Sequence, residues 1–316
     1  MTSKPFPFLR LPYLAQDEIT KWMDLATHCC LSGLSDRSKH VVKRATKQGM
    51  YSVTLNFGGF NNYLRLVGKR ERVGQVEQIV NYNSGWCIST KISRENAKQN
   101  LEKAFNSIAY VFNRPTVIFN VLSDVRRVAT GLQVVNSWNL KIISADLCSV
   151  DPSKEHYLLV LNGCKNALKL TVKPGPPMEI QNDDLPVFQC DSIEFWAETY
   201  WLTVENLIHC FMGCKKIRIE NWPFKFQRLR PLMKKWIDSE SRMTDIVIFS
   251  NVDQDFSYER FLEGIPSTRV QRVFVRSIST LHPLAYIIKI QNGKPALIAR
   301  EGTSFVMTTN FNLLDN

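Results

Sequence analysis

Apolar positions near the N-terminus recur with the period of an α-helix. The first series comprises Leu11, Leu14, Ile19, Met23 and Leu25. The second series, with basic residues between its members, comprises Leu31, Leu34, Val41 and Val42. These spacings predict two or three short helices, each with one apolar side. Such helices are too small to bury enough surface alone, so we expect them to pack on the next domain, on a partner, or on both.

The pattern changes to strand alternation after residue 49. Tyr51–Phe57 alternates, Gly58-Gly59 interrupts the run, and Tyr63–Val67 resumes it, which predicts a β-hairpin. Residues 93–113 return to the helical period. We therefore expect residues 49–115 to form a hairpin and a helix that lead into a further domain.

A repeat of strand and helix follows from residue 116. The β-like runs recur at intervals of about 24 to 29 residues. They are Val117–Phe119, Lys141–Ile143, Leu168–Leu170, Ile193–Phe195, Ile217–Ile219 and Ile246–Ile248. Helical stretches lie between several of them, at Val125–Val135, Val204–Met212 and Leu229–Ile237. Strand, helix and strand at this period predict a parallel sheet with right-handed crossovers.

The repeat period also favours a particular architecture for residues 116–316. A period in the twenties is typical of leucine-rich-repeat solenoids, although this chain has no repeated asparagine ladder. Near the C-terminus, Ala285–Ile290 and Pro295–Arg300 flank an Asn-Gly turn, which predicts a β-hairpin, and Phe305–Met307 is a candidate third strand. We predict an α/β fold (α+β overall): an N-terminal helical module in residues 1–48, then an irregular leucine-rich-repeat-like α/β solenoid with a C-terminal β-hairpin cap.

The net charge of +11 is concentrated in the first part of the chain. Residues 1–110 contain 16 Lys or Arg against 8 Asp or Glu, and the remainder contains 24 against 21. The densest clusters are Arg37, Lys39, Lys43, Arg44 and Lys47, then Lys69, Arg70 and Arg72. Such a region favours an acidic partner, either nucleic acid or an acidic protein. A solvated helix face is the alternative explanation.

Composition indicates an intracellular globular protein in the cytoplasm or nucleus. The sequence lacks a run of about 20 apolar residues, and Asp17 and Glu18 come too early for a signal peptide. The eight cysteines have no C-x-x-C spacing, which argues against a disulfide scaffold. No membrane association is expected.

Candidate chemistry is sparse, and we predict no catalytic residue, no metal site and no cofactor. His28 precedes Cys29 and His209 precedes Cys210, but sequence adjacency does not by itself pair two side chains, and apolar helical surroundings favour a core position for each. A zinc site at His209, Cys210 and Cys214 is a weaker interpretation than buried reduced thiols. Nucleotide-binding glycine loops are missing from the sequence.

The N-terminal segment resembles the F-box family. The resemblance rests on Phe6-Pro7-Phe8-Leu9-Arg10-Leu11-Pro12, then Ile19 and Met23, then Leu31-Ser32 and Ser35. Cys29-Cys30 and Gly33 depart from the family pattern. The resemblance implies docking to a Skp-type adaptor, and through it to a cullin–RING ubiquitin ligase, by Leu11, Pro12, Ile19, Met23, Leu31 and Leu34. Because these adaptors are acidic, it also implies electrostatic contacts from Lys39, Lys43 and Arg44.

A second resemblance covers the stretch from Asp191 to Ile248. Trp201–Ile208, Cys214–Ile219 and Leu232–Ile237 resemble the F-box-associated type 2 domain of the nematode F-box families. This resemblance implies that the C-terminal domain binds a target protein. We therefore expect a non-catalytic substrate-recognition subunit of a Skp–cullin–F-box ligase. The alternatives are a basic nucleic-acid-binding protein, although the sequence has no groove-reading motif, and an enzyme of unfamiliar type.

Overall fold

The computed structural model describes residues 7–57, 63–68, 97–121, 125–148, 154–173, 180, 182–196, 200–251, 256–276, 279–291 and 293–314. The predicted basic cluster at 69–72, the Gly58-Gly59 break and Phe6 of the F-box-like motif lie outside these residues. The chain divides into two compact units. The first comprises residues 1–120 and 126–143, and the second comprises residues 121–125 and 144–316.

The first unit begins with a helical module. A 3₁₀ turn at Phe8–Arg10 precedes three helices: α1 (Tyr13–Lys21), α2 (Leu25–Leu34) and α3 (Asp36–Ala45). The side chain of Asp24 accepts the Thr27 N–H at the start of α2, and Ser35 accepts the Ser38 N–H at the start of α3. These caps satisfy amide groups that have no partner inside the helix. The prediction of two or three short helices is confirmed.

Three strands and two further helices complete the first unit. Its elements are β1 (Tyr51–Phe57), β2 (Tyr63–Gly68), α4 (Ala97–Val111), β3 (Thr116–Val121) and α5 (Val125–Ser137). The strands β1 and β2 pair antiparallel, and β1 lies between β3 and β2. The predicted hairpin and the helix that follows it are therefore confirmed. The module packs through α3, which contacts α1, α2 and α4.

Parallel strands dominate the second unit. Its first part contains β4 (Ile142–Leu147, which enters this unit at Ser144), α6 (Lys154–Cys164), β5 (Lys169–Val172), β6 (Ser192–Phe195), α7 (Val204–Asn206, continued by a π turn at Leu207–Phe211), β7 (Lys216–Ile219), α8 (Arg230–Ile237) and β8 (Asp245–Phe249). Each of these strands pairs parallel with the next one along the chain. The predicted strands and parallel pairing are confirmed, and α6 is an unpredicted addition. The handedness of the connections and the solenoid itself stay predictions.

The tail of the second unit is antiparallel. After the short helix α9 (Tyr258–Phe261) come β9 (Ser267–Val275), β10 (Thr280–Lys289), β11 (Pro295–Glu301), β12 (Ser304–Thr308) and β13 (Phe311–Leu313). The predicted hairpin of β10 and β11 and the third strand β12 are confirmed. The tail is nevertheless more than a hairpin, because β12 pairs antiparallel with β8 and the order β12-β11-β10-β9-β13 extends the sheet.

Aromatic side chains fill much of the core of the second unit. Trp201, Trp222 and Trp236 are buried, and the rings of Phe188 and Phe211 stack with their centroids 4.7 Å apart.

With its helices and its parallel and antiparallel strands, the chain is a mixed α/β protein. Across the part of the chain that the structure describes, no helix is both long enough and apolar enough to span a membrane.

Candidate functional site: an apolar helical face and a cationic groove

Helix α1 buries two polar side chains and exposes three large apolar ones, while its charged residues Glu18 and Lys21 are exposed as well. Gln16 and Thr20 are completely buried. Leu14, Ile19 and Trp22 lie within an arc of about 140° on the other side, at 3.6 residues per turn. They are 81%, 39% and 88% exposed, respectively. A surface helix of a globular protein normally has the reverse arrangement.

Hydrogen bonds explain why the polar residues of α1 are stable inside. The side-chain amide of Gln16 donates to the backbone carbonyls of Leu9 (3.2 Å) and Leu11 (2.8 Å). The Thr20 hydroxyl donates to the Gln16 carbonyl at 2.6 Å. Buried polar groups of this kind need partners, because an unpaired one costs about 1–3 kcal/mol. The network fixes the 3₁₀ turn against α1, and it leaves the apolar side of the helix facing away from the module.

His28 connects the helical module to the sheet of the same unit. Its Nε2 lies 2.7 Å from the Thr20 carbonyl oxygen, and its Nδ1 lies 2.6 Å from the Tyr51 hydroxyl. Because a carbonyl can only accept, Nε2 carries the proton and Nδ1 accepts from Tyr51. Burial lowers the pKa of His28 below its ordinary value and raises the pKa of Tyr51 to about 12. Both groups are therefore neutral structural members of the network.

The predicted adaptor-contact residues occupy two environments. Pro12 is exposed at the N-cap of α1, Ile19 belongs to its outward side, and Leu34 is 74% exposed at the end of α2. The other three, which are half-buried, are Leu11, Met23 and Leu31. Sequence reasoning missed Trp22 altogether and did not assign Leu14 to the contact set. The buried pair Gln16 and Thr20, one helical turn apart, is the signal that marks the outward side. We define Leu14, Ile19 and Trp22 as the apolar face of α1.

The predicted electrostatic residues of α3 differ in their contacts. Lys39 pairs with Asp36 at 2.8 Å on the exposed surface. Arg44 donates from Nε and Nη2 to Asp17 Oδ1, at 3.1 and 2.9 Å, and so connects α3 to α1. Lys43 forms no ion pair with any described residue, and its ammonium lies 3.8 Å from the centroid of the Tyr110 ring.

Lys43 and Arg44 line a groove of about 880 Å³ within the first unit. Its walls are formed by Tyr13, Arg37, His40, Val41, Lys43, Arg44, Tyr110 and Asn113. No acidic side chain is among them. The guanidinium of Arg44 lies over the Tyr13 ring at 4.5 Å, and the Tyr110 hydroxyl lies 3.1 Å from His40 Nδ1. We refer to these eight residues as the cationic groove.

The second unit presents an aromatic residue on the polar side of its parallel strands. Trp196, immediately after β6, is 40% exposed, and its indole N–H donates to Glu194 at 3.1 Å. The cations of Lys173 and Arg218 lie 5.5 and 5.8 Å from the Trp196 ring. Arg218 also pairs with Glu220 at 2.7 Å. We define these five residues as the Trp196 surface.

The cysteine and histidine residues considered for a zinc site or for catalysis differ in their burial. Cys210 and Cys214 are buried, whereas His209 is exposed, which corrects the expectation that His209 lies in the core. Helical geometry turns neighbouring residues to different sides, and the π turn directs His209 outward. Burial raises the pKa of Cys29 to about 11, so its thiol stays protonated near neutral pH. Among the described residues, no group of three His, Cys, Asp or Glu side chains is positioned to hold a metal ion.

Comparison with known proteins adds no relative to this description. No protein-family model, no curated protein and no solved structure matches the chain.

Proposed function

We propose that this protein is a non-catalytic substrate receptor of a cullin–RING ubiquitin ligase. In this proposal the helical module docks to a Skp-type adaptor, and the second unit, folded as a leucine-rich-repeat-like solenoid, binds a target protein. The observation that carries the proposal is the outward orientation of the apolar face of α1. The F-box resemblance of the segment that contains this face, which shares Ile19 with it, supplies the identity of the partner.

The solvent-exposed side chains of Leu14 and Trp22 are a source of binding free energy for a partner. Apolar surface contributes about 25 cal/mol per Å² when it is removed from water. A fully buried tryptophan covers up to about 250 Å², and most of the Trp22 side chain is exposed. Truncating a well-packed tryptophan at an interface commonly costs about 2 kcal/mol or more. Leu14 and Trp22 therefore offer a substantial gain to a partner and contribute little to the stability of the module itself.

The charges of the module suit an acidic partner. Lys39, Lys43 and Arg44 lie on α3, which packs directly against α1. Exposed positive charges raise the rate of encounter with an acidic adaptor more than they raise final affinity. Salt should consequently slow association while the apolar contacts maintain the bound state.

The Trp196 surface is our candidate for the target-binding half. It combines an exposed aromatic ring with flanking cations and acids, and aromatic residues dominate the energetics of protein interfaces. The side chains of Glu194 and Arg218 are direct neighbours in the register of β6 and β7. Holding a target there would accelerate ubiquitin transfer by proximity alone.

The test is direct binding between the purified chain and a purified Skp-type adaptor. We expect the variants Leu14→Ala and Trp22→Ala each to weaken binding by about 2 kcal/mol, roughly 30-fold. The triple variant Leu11→Ala, Pro12→Ala, Ile19→Ala should abolish it. The control is Leu313→Ala, which truncates another exposed leucine, in the second unit. If the wild-type chain fails to bind the adaptor, or if Leu313→Ala weakens binding as much as Leu14→Ala, the proposal is wrong.

The target-binding half has its own test. Replacing Trp196 in the cell should reduce recovery of ubiquitinated targets with the chain and leave adaptor recovery unchanged. The control is Tyr200→Ala, which removes another exposed aromatic residue of the second unit. Unchanged target recovery from Trp196→Ala would exclude the Trp196 surface while leaving the adaptor half intact.

A further inference from the structure

The cationic groove has more positive charge than the described residues around it neutralise. Arg44 is paired with Asp17. Neither Arg37 nor Lys43 forms an ion pair with any residue that the structure describes, and both line the groove. Like charges that converge on one concave surface repel each other, so two unneutralised cations favour binding of an anion.

Hydrogen-bonding groups surround these two cations. Tyr110 and His40 are bonded to each other on one wall, and the side-chain amide of Asn113 donates to the Thr46 carbonyl on another. The Lys43 ammonium keeps its position over the Tyr110 ring and can still donate to an additional acceptor. The groove thus offers a planar guanidinium fork and an ammonium, which are the groups that proteins use to hold phosphate.

From these contacts we propose that the cationic groove binds a phosphorylated serine or threonine side chain of a partner protein. A phosphate monoester carries a charge of about −1.5 to −2 at neutral pH and has three acceptor oxygens. That charge matches the two cations, Arg37 and Lys43, and clusters of Arg and Lys are a recurrent means of recognising phosphorylated peptides. The groove volume of about 880 Å³ leaves room for residues on either side of the phosphate.

The aromatic rings of the groove favour a peptide over a single-stranded nucleic acid. Binding of unpaired bases uses free aromatic faces as stacking platforms. Here the Lys43 ammonium covers one face of Tyr110, and the Arg44 guanidinium covers one face of Tyr13. The covered faces are closed to a stacked base, and the cations above them are the groups that a ligand would contact.

The experiment uses the full chain alone, without an adaptor, and so is independent of the proposed ligase function. Fluorescence polarisation would measure binding of a short peptide library with one fixed phosphoserine or phosphothreonine, beside the same library unphosphorylated. We expect the phosphorylated library to bind more tightly by roughly tenfold or more. The variants Arg37→Ala and Lys43→Gln should each reduce that preference. The matched control, Lys39→Ala, removes a lysine of the same helix that pairs with Asp36 outside the groove.

Four outcomes would overturn the proposal. They are equal binding of both libraries, equal loss in Lys39→Ala, displacement of the peptide by inorganic phosphate at the peptide's own concentration, and tighter binding of single-stranded RNA. The comparison of the two libraries needs only the wild-type chain, so it stands even where a variant fails to fold.

Discussion

Because Gln16 of α1 is buried and Leu14 is exposed, we expect truncation of the polar side chain to cost more stability than truncation of the apolar one. Gln16→Ala removes two hydrogen bonds to the carbonyls of Leu9 and Leu11. At about 1 kcal/mol for each bond, plus part of the penalty for leaving the carbonyls unpaired, we expect a loss of about 2–3 kcal/mol. Leu14 buries about a fifth of its surface. Because fully burying a leucine contributes about 1.5–3 kcal/mol, Leu14→Ala should cost only about 0.3–0.6 kcal/mol.

The stability cost of Trp22→Ala, on the same side of the helix as Leu14, is also expected to be small. About 12% of its surface is buried. On a side chain of up to about 250 Å², this amounts to about 30 Å² and to about 0.8 kcal/mol. Gln16→Ala should therefore destabilise the module more than the loss of either large apolar side chain does.

Hydrogen exchange measured by mass spectrometry is the appropriate assay, because the chain has two compact units and global unfolding could report either one. Peptides covering α1 and α2 give the free energy of local opening in each variant. If Leu14→Ala or Trp22→Ala lowers that free energy more than Gln16→Ala does, the apolar face of α1 is buried in the free protein. Leu14 and Trp22 would then not be available to a docking partner.

Three other predictions concern stability. An added Cβ at Gly213 would lie far inside van der Waals contact of the Phe188 carbonyl oxygen. Gly213→Ala should therefore lower the free energy of unfolding in urea by about 1–3 kcal/mol, and an unchanged unfolding midpoint would contradict this. Gly33, inside α2, has no atom within 4 Å of such a Cβ, so Gly33→Ala should stabilise by up to about 1 kcal/mol, and a loss would contradict that. Burial lowers the pKa of His28 and His282 below 6.5, so the unfolded chain takes up their protons first as the pH falls. The free energy of unfolding should be constant above about pH 6.5 and should decrease as the pH falls below that value. The decrease should be smaller in His282→Phe, and an identical decrease in that variant would exclude a contribution from His282.

Much of the fold was predictable because its strands are short apolar runs at a regular interval. The cores of β6, β7 and β8 lie at the positions predicted from Ile193, Ile217 and Ile246, all of which are completely buried or nearly so. Buried strands of a parallel sheet give this signal because both of their sides are covered. The strand β9 gave no such signal, since most of its residues are exposed or half-buried.

The candidate site was less predictable, for a physical reason. An apolar stripe has the same spacing whether it faces a core or a partner, so the period of Leu14 and Ile19 could not show which side of α1 is buried. That information comes from the hydrogen bonds of Gln16 and Thr20, which join residues that the sequence does not mark as partners. The cationic groove likewise requires Tyr110, which is distant in sequence from Lys43.

The strand β8 is the place where the sheet changes from parallel to antiparallel, and this has a consequence for the order of folding. Its Asp245 carboxylate accepts hydrogen bonds from Thr308 of β12 and from Thr244. During synthesis, β8 leaves the ribosome well before β12, so a nascent chain exposes the backbone edge of β8 and an Asp245 carboxylate that lacks its Thr308 partner. An open edge of this kind is a template for aggregation. A polar, charged group at that position would make intermolecular pairing costly until Thr308 arrives, so Asp245 would protect the growing chain as well as complete the finished sheet.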